Sequence, residues 1–356
     1  MKITKSLILL FLICLFGCKK DNETSLDNNP KYVKLLWRNK QFDWVPTTLV
    51  AKNNKLYFGN TSRFFYSVNL EDAKVHLKFE SDYNPFHKPL LSNENLFLQE
   101  YGTDLCCFDP KGKLKWKVNG EINLRKDLAE NDNYLYGSVQ GNGFSKLNKT
   151  DGNVIWYLGK DSNSMQTNKP AFFKNTVYLG HSELSAKLLA VNNENGRIMW
   201  ENKYEKFSNI SQINTKKGLL VCLDKDFKKG KILMLDYHSG DEIWSASLNC
   251  DLHYEPCVVN DNIILSTYDN KVISVNLETG RTNWLLNLKK DCAESTITHF
   301  KENIYFGTIN RNLYSINSNT GKVNFIQQFN YGISTPIVDN NKIYFPAGAG
   351  EMWTLK

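Results

Sequence analysis

Cysteine and histidine are the side chains best suited to nucleophilic, redox or metal chemistry, and their spacing decides how much of it they can do. The adjacent Cys106 and Cys107 could in principle close a redox-active ring. In an exported protein Cys250, Cys257 and Cys292 could contribute one disulfide, although sequence leaves the pairing of these three and of Cys222 open. There is no CxxC pair for zinc and no CxxCH haem site. The histidines (His76, His87, His181, His238, His253, His299) lack ligand spacing, and no GxSxG, HExxH, Walker or dinucleotide fingerprint occurs. The expectation is no catalytic residue, no metal and no cofactor, so that function lies in binding.

A repeat positions these residues. Residues 276–284 read NLETGRTNW: a strand ending in Asn, a Thr-Gly turn, and a strand bearing Trp. Gly280 can take the positive φ that closes such a turn, having no Cβ to clash. The stretch recurs as NKTDGNVIW (148–156), NNENGRIMW (192–200), DYHSGDEIW (236–244) and NSNTGKVNF (317–325). It is one residue shorter as DPKGKLKW (109–116), and NLEDAKVHL (69–77) has lost both Gly and Trp. Aromatic positions 116, 156, 200, 244, 284 and 325 lie 40, 44, 44, 40 and 41 residues apart. Each turn follows a short apolar strand often opened by Pro, a polar turn, a strand rich in Tyr and Gly, and a third strand, with no helical period between. Four short strands in units of about 41 residues predict an all-β fold, a β-propeller of four-stranded antiparallel blades.

The chain ends complete the count. From Pro336 the last unit supplies three strands and stops at Lys356, level with Asn317 of the unit before, without a Trp-bearing fourth strand. Residues 32–37 (YVKLLW) place Trp37 40 residues before Leu77, in register with the Trp series, and can supply that strand. Closure by the N-terminal strand hides both sheet edges and predicts eight blades. Trp37, Trp116, Trp156, Trp200, Trp244 and Trp284 are then the blade-docking residues. LCCFD (105–109) falls in the third-strand slot that reads LYSIN at 313–317, so Cys106 and Cys107 point to opposite faces and read as small buried hydrophobes rather than a ring disulfide.

Residues 1–17 read as an export signal: Lys2 and Lys5 precede an apolar core at 7–15 that is too short for a spanning helix. The closing LFGC (15–18) resembles the bacterial lipobox, which implies that Cys18 becomes the lipid-carrying first residue of the mature chain. Lys19, where an Asp would retain many lipoproteins in the inner membrane, implies the outer membrane. KKDNE (19–23) resembles charged tags that send some lipoproteins to the cell surface; a plain charged tether is the alternative. The expected organisation is a signal peptide over 1–17, lipidated Cys18 with a flexible tether over 18–30, and the propeller over 31–356.

The formal charge of +7 is modest, and no basic helix or Arg-rich run accompanies it, which argues against a nucleic-acid partner. With the units aligned on their second strands, the residue before the Pro slot is Thr48, Lys88, Lys126, Lys169, Ser211, Glu255, Thr296 and Thr335 in blade order. Equivalent positions form a ring at the mouth of a channel lined by first strands. Lys88, Lys126 and Lys169, with His87 and Arg125 adjacent and Glu255 across the ring, could hold an acidic peptide, a phosphate or an anionic sugar, or keep a water-filled funnel soluble.

The repeat resembles the tryptophan-docking blade of the pyrroloquinoline-quinone (PQQ) propeller-repeat superfamily, P…VY.G…LYALD..TGK..W, over nearly the whole mature chain. That superfamily includes quinoprotein alcohol dehydrogenases and the lipoprotein scaffold of the outer-membrane β-barrel assembly machinery. The lipobox, compact blades and absence of insertions resemble the second branch. A quinoprotein also needs a calcium site and a catalytic Asp base, normally carried on insertions for which these blades leave little room. The resemblance implies a non-catalytic envelope scaffold for proteins or peptides, a monomer within a complex, held to the membrane by its lipid. The alternatives are a PQQ-dependent periplasmic oxidoreductase and a surface module binding glycans or host protein.

Overall fold

The structure, a computed structural model, describes residues 31–356 apart from 41, 43–48, 61, 82–87, 93–94, 100–103, 120–127, 139–143, 160–168, 183–184, 226–228, 249–251, 253 and 349. The expected signal peptide, Cys18 and the tether lie outside the described residues. The described strands form eight four-stranded antiparallel sheets in a ring. The first blade runs through Val50–Lys52, Lys55–Gly59, Phe64–Asn69 and Val75–Glu80, and six more follow in the same order. The eighth is split: Ile337–Asp339, Lys342–Ala347 and Glu351–Leu355 take Val33–Arg38 as their fourth strand.

Burial explains each strand's role. In the fourth blade Thr176–His181 and Ala186–Asn192 are almost wholly buried, because blades cover both their faces, whereas Ile198–Tyr204 alternates along the outer rim. The apolar clusters accordingly lie between neighbouring blades: Trp37, Tyr344 and Met352 of the last blade pack with Leu56, Phe58 and Val68 of the first.

The recurrent turn is built by its first residue. Asn276 Oδ1 accepts the backbone N–H groups of Glu278 and Thr279, both at 3.0 Å, and Gly280, at φ +70°, donates its N–H to the Asn276 carbonyl at 2.9 Å. A bulge follows: Ser274 faces Trp284 but Val275 faces Thr282, so Asn283 is the extra residue. The same shift precedes the aromatic position, or its Leu77 replacement, in all seven uninterrupted blades. Bulges re-aim side chains, and here the aromatic residue meets the next blade's glycine. A Cβ on Gly280 would stand 2.5 Å from the Trp244 ring, and one on Gly321 2.7 Å from Trp284.

The closing strand departs from the expected register. Thr354 is the counterpart of Ser315, since each faces the Tyr of its second strand; yet Thr354 faces Lys34 where Ser315 faces Phe325, and Trp37 stands further along, opposite Met352. Equal spacing placed Trp37 at the common level. No turn joins this strand to its neighbour, however, so a bulge between Leu35 and Trp37 sets the register instead of a turn length. Trp37 still docks, donating Nε1–H to the Leu70 carbonyl at 2.8 Å. At the opposite seam Tyr32 stacks on Phe325, with centroids 4.4 Å apart, in the place of the missing turn.

Candidate functional site

First strands line the central channel. A cavity of about 380 Å³ there is bounded by Leu90, by Leu128–Glu130, by Lys169–Phe172, by Gln212–Asn214 and by Glu255, side chains of five successive blades. Of the predicted mouth residues, Lys169 and Glu255 line this one cavity and both are exposed; Lys88 is exposed but not among its lining residues. Lys126, His87, Arg125 and Thr48 lie outside the described residues. The described part of the cavity is therefore mixed in charge, because Glu130 and Glu255 line it together with Lys169. Glu130 is partly neutralised by Lys149, whose Nζ lies 2.6 Å from its Oε2.

Gln212, buried beneath Lys169, donates Nε2–H to the Lys169 carbonyl at 2.8 Å and so holds the backbone that presents that lysine. Sequence alignment passed over Gln212 and Glu130. Neither occupies the position before the Pro slot, and the signal that could have found them was simply membership of a first strand.

The other polar and thiol side chains that could do chemistry are held within and between blades. Buried Lys149 also donates to Ser92 Oγ at 2.9 Å, tying the second blade to the third. Buried Asp291 accepts from Thr308 Oγ1 at 2.8 Å and Asn312 Nδ2 at 2.9 Å. Cys106 packs with Phe65 and Leu98 while Cys107 packs with Phe97 and Leu105, on opposite faces of Asp104–Phe108. Burial pushes the Cys107 and Cys257 thiols up to about 11, which disfavours the reactive thiolate. Cys222, Cys257 and Cys292 all carry thiols, so of the disulfide trio only Cys250, outside the described residues, is left without a described state. Among the described residues no group of three or more His, Cys, Asp or Glu is placed to hold a metal ion, and no helix is long and apolar enough to cross a membrane.

The Trp residues act at the seams. Trp37, Trp116, Trp156, Trp244 and Trp284 donate Nε1–H to the carbonyls of Leu70, Lys149, Asn193, Leu277 and Ser318, at 2.8, 3.0, 2.9, 3.0 and 3.1 Å. Each acceptor directly follows the Asn that opens the next blade's turn. Trp200 differs: the corresponding Tyr237 carbonyl takes the Tyr178 hydroxyl at 2.7 Å, and the Trp200 Nε1–H is buried without an acceptor.

Eight blades, indole-to-glycine seams and a split closing blade define a propeller of PQQ-like repeats. A family model described as outer membrane protein assembly factor BamB matches residues 33–225 and 216–299, and the chain belongs to that family. No curated protein sequence matches it. Among solved structures, BamB from Moraxella catarrhalis is similar with a TM-score of 0.69 at 12% identity, over 91% of this chain and 99% of that one. The computationally designed Ika8 protein is similar at 0.71 and 10%, over 90% and 98%. The quinohemoprotein alcohol dehydrogenase ADHIIG from Pseudomonas putida HK5 is similar at 0.69 and 9%, over 91% of this chain and 75% of that one. At these identities the likeness is one of fold.

Proposed function

We propose that the protein is a non-catalytic, lipid-anchored scaffold that binds proteins or peptides at the outer membrane and serves in outer-membrane protein assembly. The observation that carries this reading is the match over residues 33–299 to a family described as an outer membrane protein assembly factor. In support, the polar and thiol side chains described above pair and pack within and between blades instead of converging on a reacting centre. The membrane attachment is the acyl group of Cys18, and the partner is an envelope protein. The channel mouth, where alignment puts Lys88, Lys126 and Lys169 in one ring of positions with Glu255, receives a charged segment of that partner.

Affinity purification from detergent-solubilised envelope tests this. An envelope protein should co-purify with the wild type, and less of it with a Lys88→Gln/Lys126→Gln/Lys169→Gln variant; equal recovery would assign these lysines to solubility. Cys18→Ser should move the protein to a soluble fraction, and its retention in the membrane pellet would refute the lipid anchor.

The dehydrogenase fold likeness supports a second reading, a quinone-dependent periplasmic oxidoreductase. Adding PQQ and calcium to the purified chain and scanning for a bound chromophore distinguishes the two, since the scaffold reading expects none.

A further inference from the structure

The seam between the first and second blades lacks its indole. Leu77, opposite Ser67, stands where Phe325, opposite Ser315, stands in the seventh blade and where Trp stands in five others. Leu77 and Phe79 cover the Gly112 turn from below, a Cβ there lying 2.8 Å from Leu77. They do not fill the seam. A cleft of about 680 Å³ remains, bounded on one side by Tyr57, Ser67 and Leu77 and on the other by Leu91, Asp109 and Pro110. Pro110 follows the turn's Asp109, and is thus the residue whose counterpart carbonyl accepts an indole N–H at five other seams. No described donor reaches it. The volume is in the range of small-molecule sites, and apolar Leu77, Leu91, Leu96 and Pro110 stand among its polar groups, as in such sites.

The rim is cationic. Lys52 and Lys55 line the cleft, Lys52 Nζ donating to the Leu91 carbonyl at 3.2 Å, while its acid, Asp109, is engaged by the backbone N–H groups of Lys111 at 2.8 Å and Lys113 at 2.9 Å. Asp339, just across the neighbouring seam, likewise accepts from the Asn53 and Asn54 backbones at 3.1 and 2.6 Å. Burial raises the Tyr57 hydroxyl above its ordinary range, so it stays a neutral donor inside the cleft.

We infer that this cleft binds an indole, or a similarly flat aromatic group with an N–H donor, on an anionic carrier: the ring lies against Leu77, beside the turn that an indole covers at other seams, the N–H turns to the Pro110 carbonyl, and the negative charge meets Lys52 and Lys55. The same chemistry can come from a free aromatic acid or from a Trp in an acidic segment of a partner. The cleft opens among the turns that end first and third strands, on the face opposite the channel-mouth ring, and the inference stands apart from the proposed scaffold role.

Calorimetric or ligand-observed NMR titration of the purified protein with indole-3-acetate, neutral indole, and a short acidic peptide with one Trp tests it. Indole-3-acetate should bind with a Kd on the order of 1 mM, the scale of a fragment-sized ligand. Leu77→Trp, which installs the chain's own indole, should weaken that binding at least tenfold. Lys52→Gln/Lys55→Gln, two substitutions at the solvent rim that leave the core intact, should weaken indole-3-acetate several-fold and leave neutral indole unchanged. Tighter binding of the peptide than of the free acid identifies a partner segment as the source, and the reverse identifies a metabolite. No saturation with either anionic probe, or affinity for indole-3-acetate unchanged in the rim variant, overturns the inference.

Discussion

Deleting residues 31–40 should open the ring, and the structure sets the scale of the loss. Trp37 is 8% exposed and fills the seam against Phe42, Phe58 and Tyr66; truncating such a Trp to Ala costs about 3–5 kcal/mol. The deletion also removes the Tyr32–Phe325 stack, about 0.5–1.5 kcal/mol, and the whole backbone ladder to Glu351–Leu355. It strips Glu351, 2% exposed, of Arg38, whose Nε donates to its carboxylate at 2.7 Å, leaving Trp353 Nε1–H as its remaining described donor. Together these approach ~8 kcal/mol, within the 5–15 kcal/mol that holds a typical domain. Trp37→Ala should therefore fold with a lowered guanidinium midpoint, while the deletion should lose its cooperative transition by circular dichroism and elute as an expanded or aggregated species. Adding the 31–40 peptide in trans should partly restore the transition. A deletion variant with an unchanged midpoint would refute the closure of the last blade by the N-terminal strand.

Trp200→Phe should lower the denaturation midpoint less than Trp244→Phe, by about 1–2 kcal/mol, because the Trp244 variant orphans the Leu277 carbonyl whereas Trp200 Nε1–H has no acceptor to lose. Equal losses would show that packing alone holds the seams. Ala73→Gly should stabilise by about 0.5–1 kcal/mol in the same titration, since Ala73 sits at φ +60° in a turn that elsewhere uses Gly, and relief of left-handed strain outweighs the added chain entropy; a loss would mean that its methyl group packs usefully against the Trp37 cluster. Backbone N–H groups, chiefly those of Lys113 and Ser239, hold the Asp109 and Asp236 carboxyls below their ordinary range. A depressed folded pKa gives stability that is present above the unfolded value and is lost as pH falls through the folded one, so acid unfolding below about pH 4 should be less steep in Asp109→Asn/Asp236→Asn, which put at the head of each turn the residue that Asn276 and Asn317 supply in theirs. An unaltered acid limb would place the sensitivity in other carboxyls.

The blades were legible because a turn that needs an Asx side chain, a left-handed glycine and an aromatic residue can be recognised from residue types alone, and Gly280, Asn276 and Trp284 play those parts in the structure. Closure by residues 32–37 was legible for a related reason: a lone Trp on a stray strand answers a unit that lacks one. The register of that strand was not. Spacing transfers between copies only where a turn of constant length joins two strands, and here Val33 simply faces Leu355 where that turn would be. The candidate site was less legible still. Alignment put Lys169 and Glu255 at equivalent positions, and the structure brings them to one cavity, yet the acid that changes the balance there, Glu130, sits within a strand that alignment treated as apolar.

The departures from the repeat carry more information than the repeat itself. The indoles at five seams make one kind of bond to one kind of carbonyl, so each exception has to be explained by what stands nearby. At Trp200 the acceptor is taken by Tyr178, and the seam stays full because that Tyr packs beside the indole with centroids 5.8 Å apart. At Phe325 the turn is missing and Tyr32 stacks in its stead. At Leu77 the first two exceptions have no parallel, since a cleft remains where they are filled. Phe79 and Phe108 pack on each other beside it, with centroids 4.7 Å apart, and the cleft opens to solvent past Lys52 and Asn53. The Pro110 carbonyl that no described indole reaches and the lysines at the cleft's rim, which a merely unfilled seam does not require, therefore carry the assignment of a binding site.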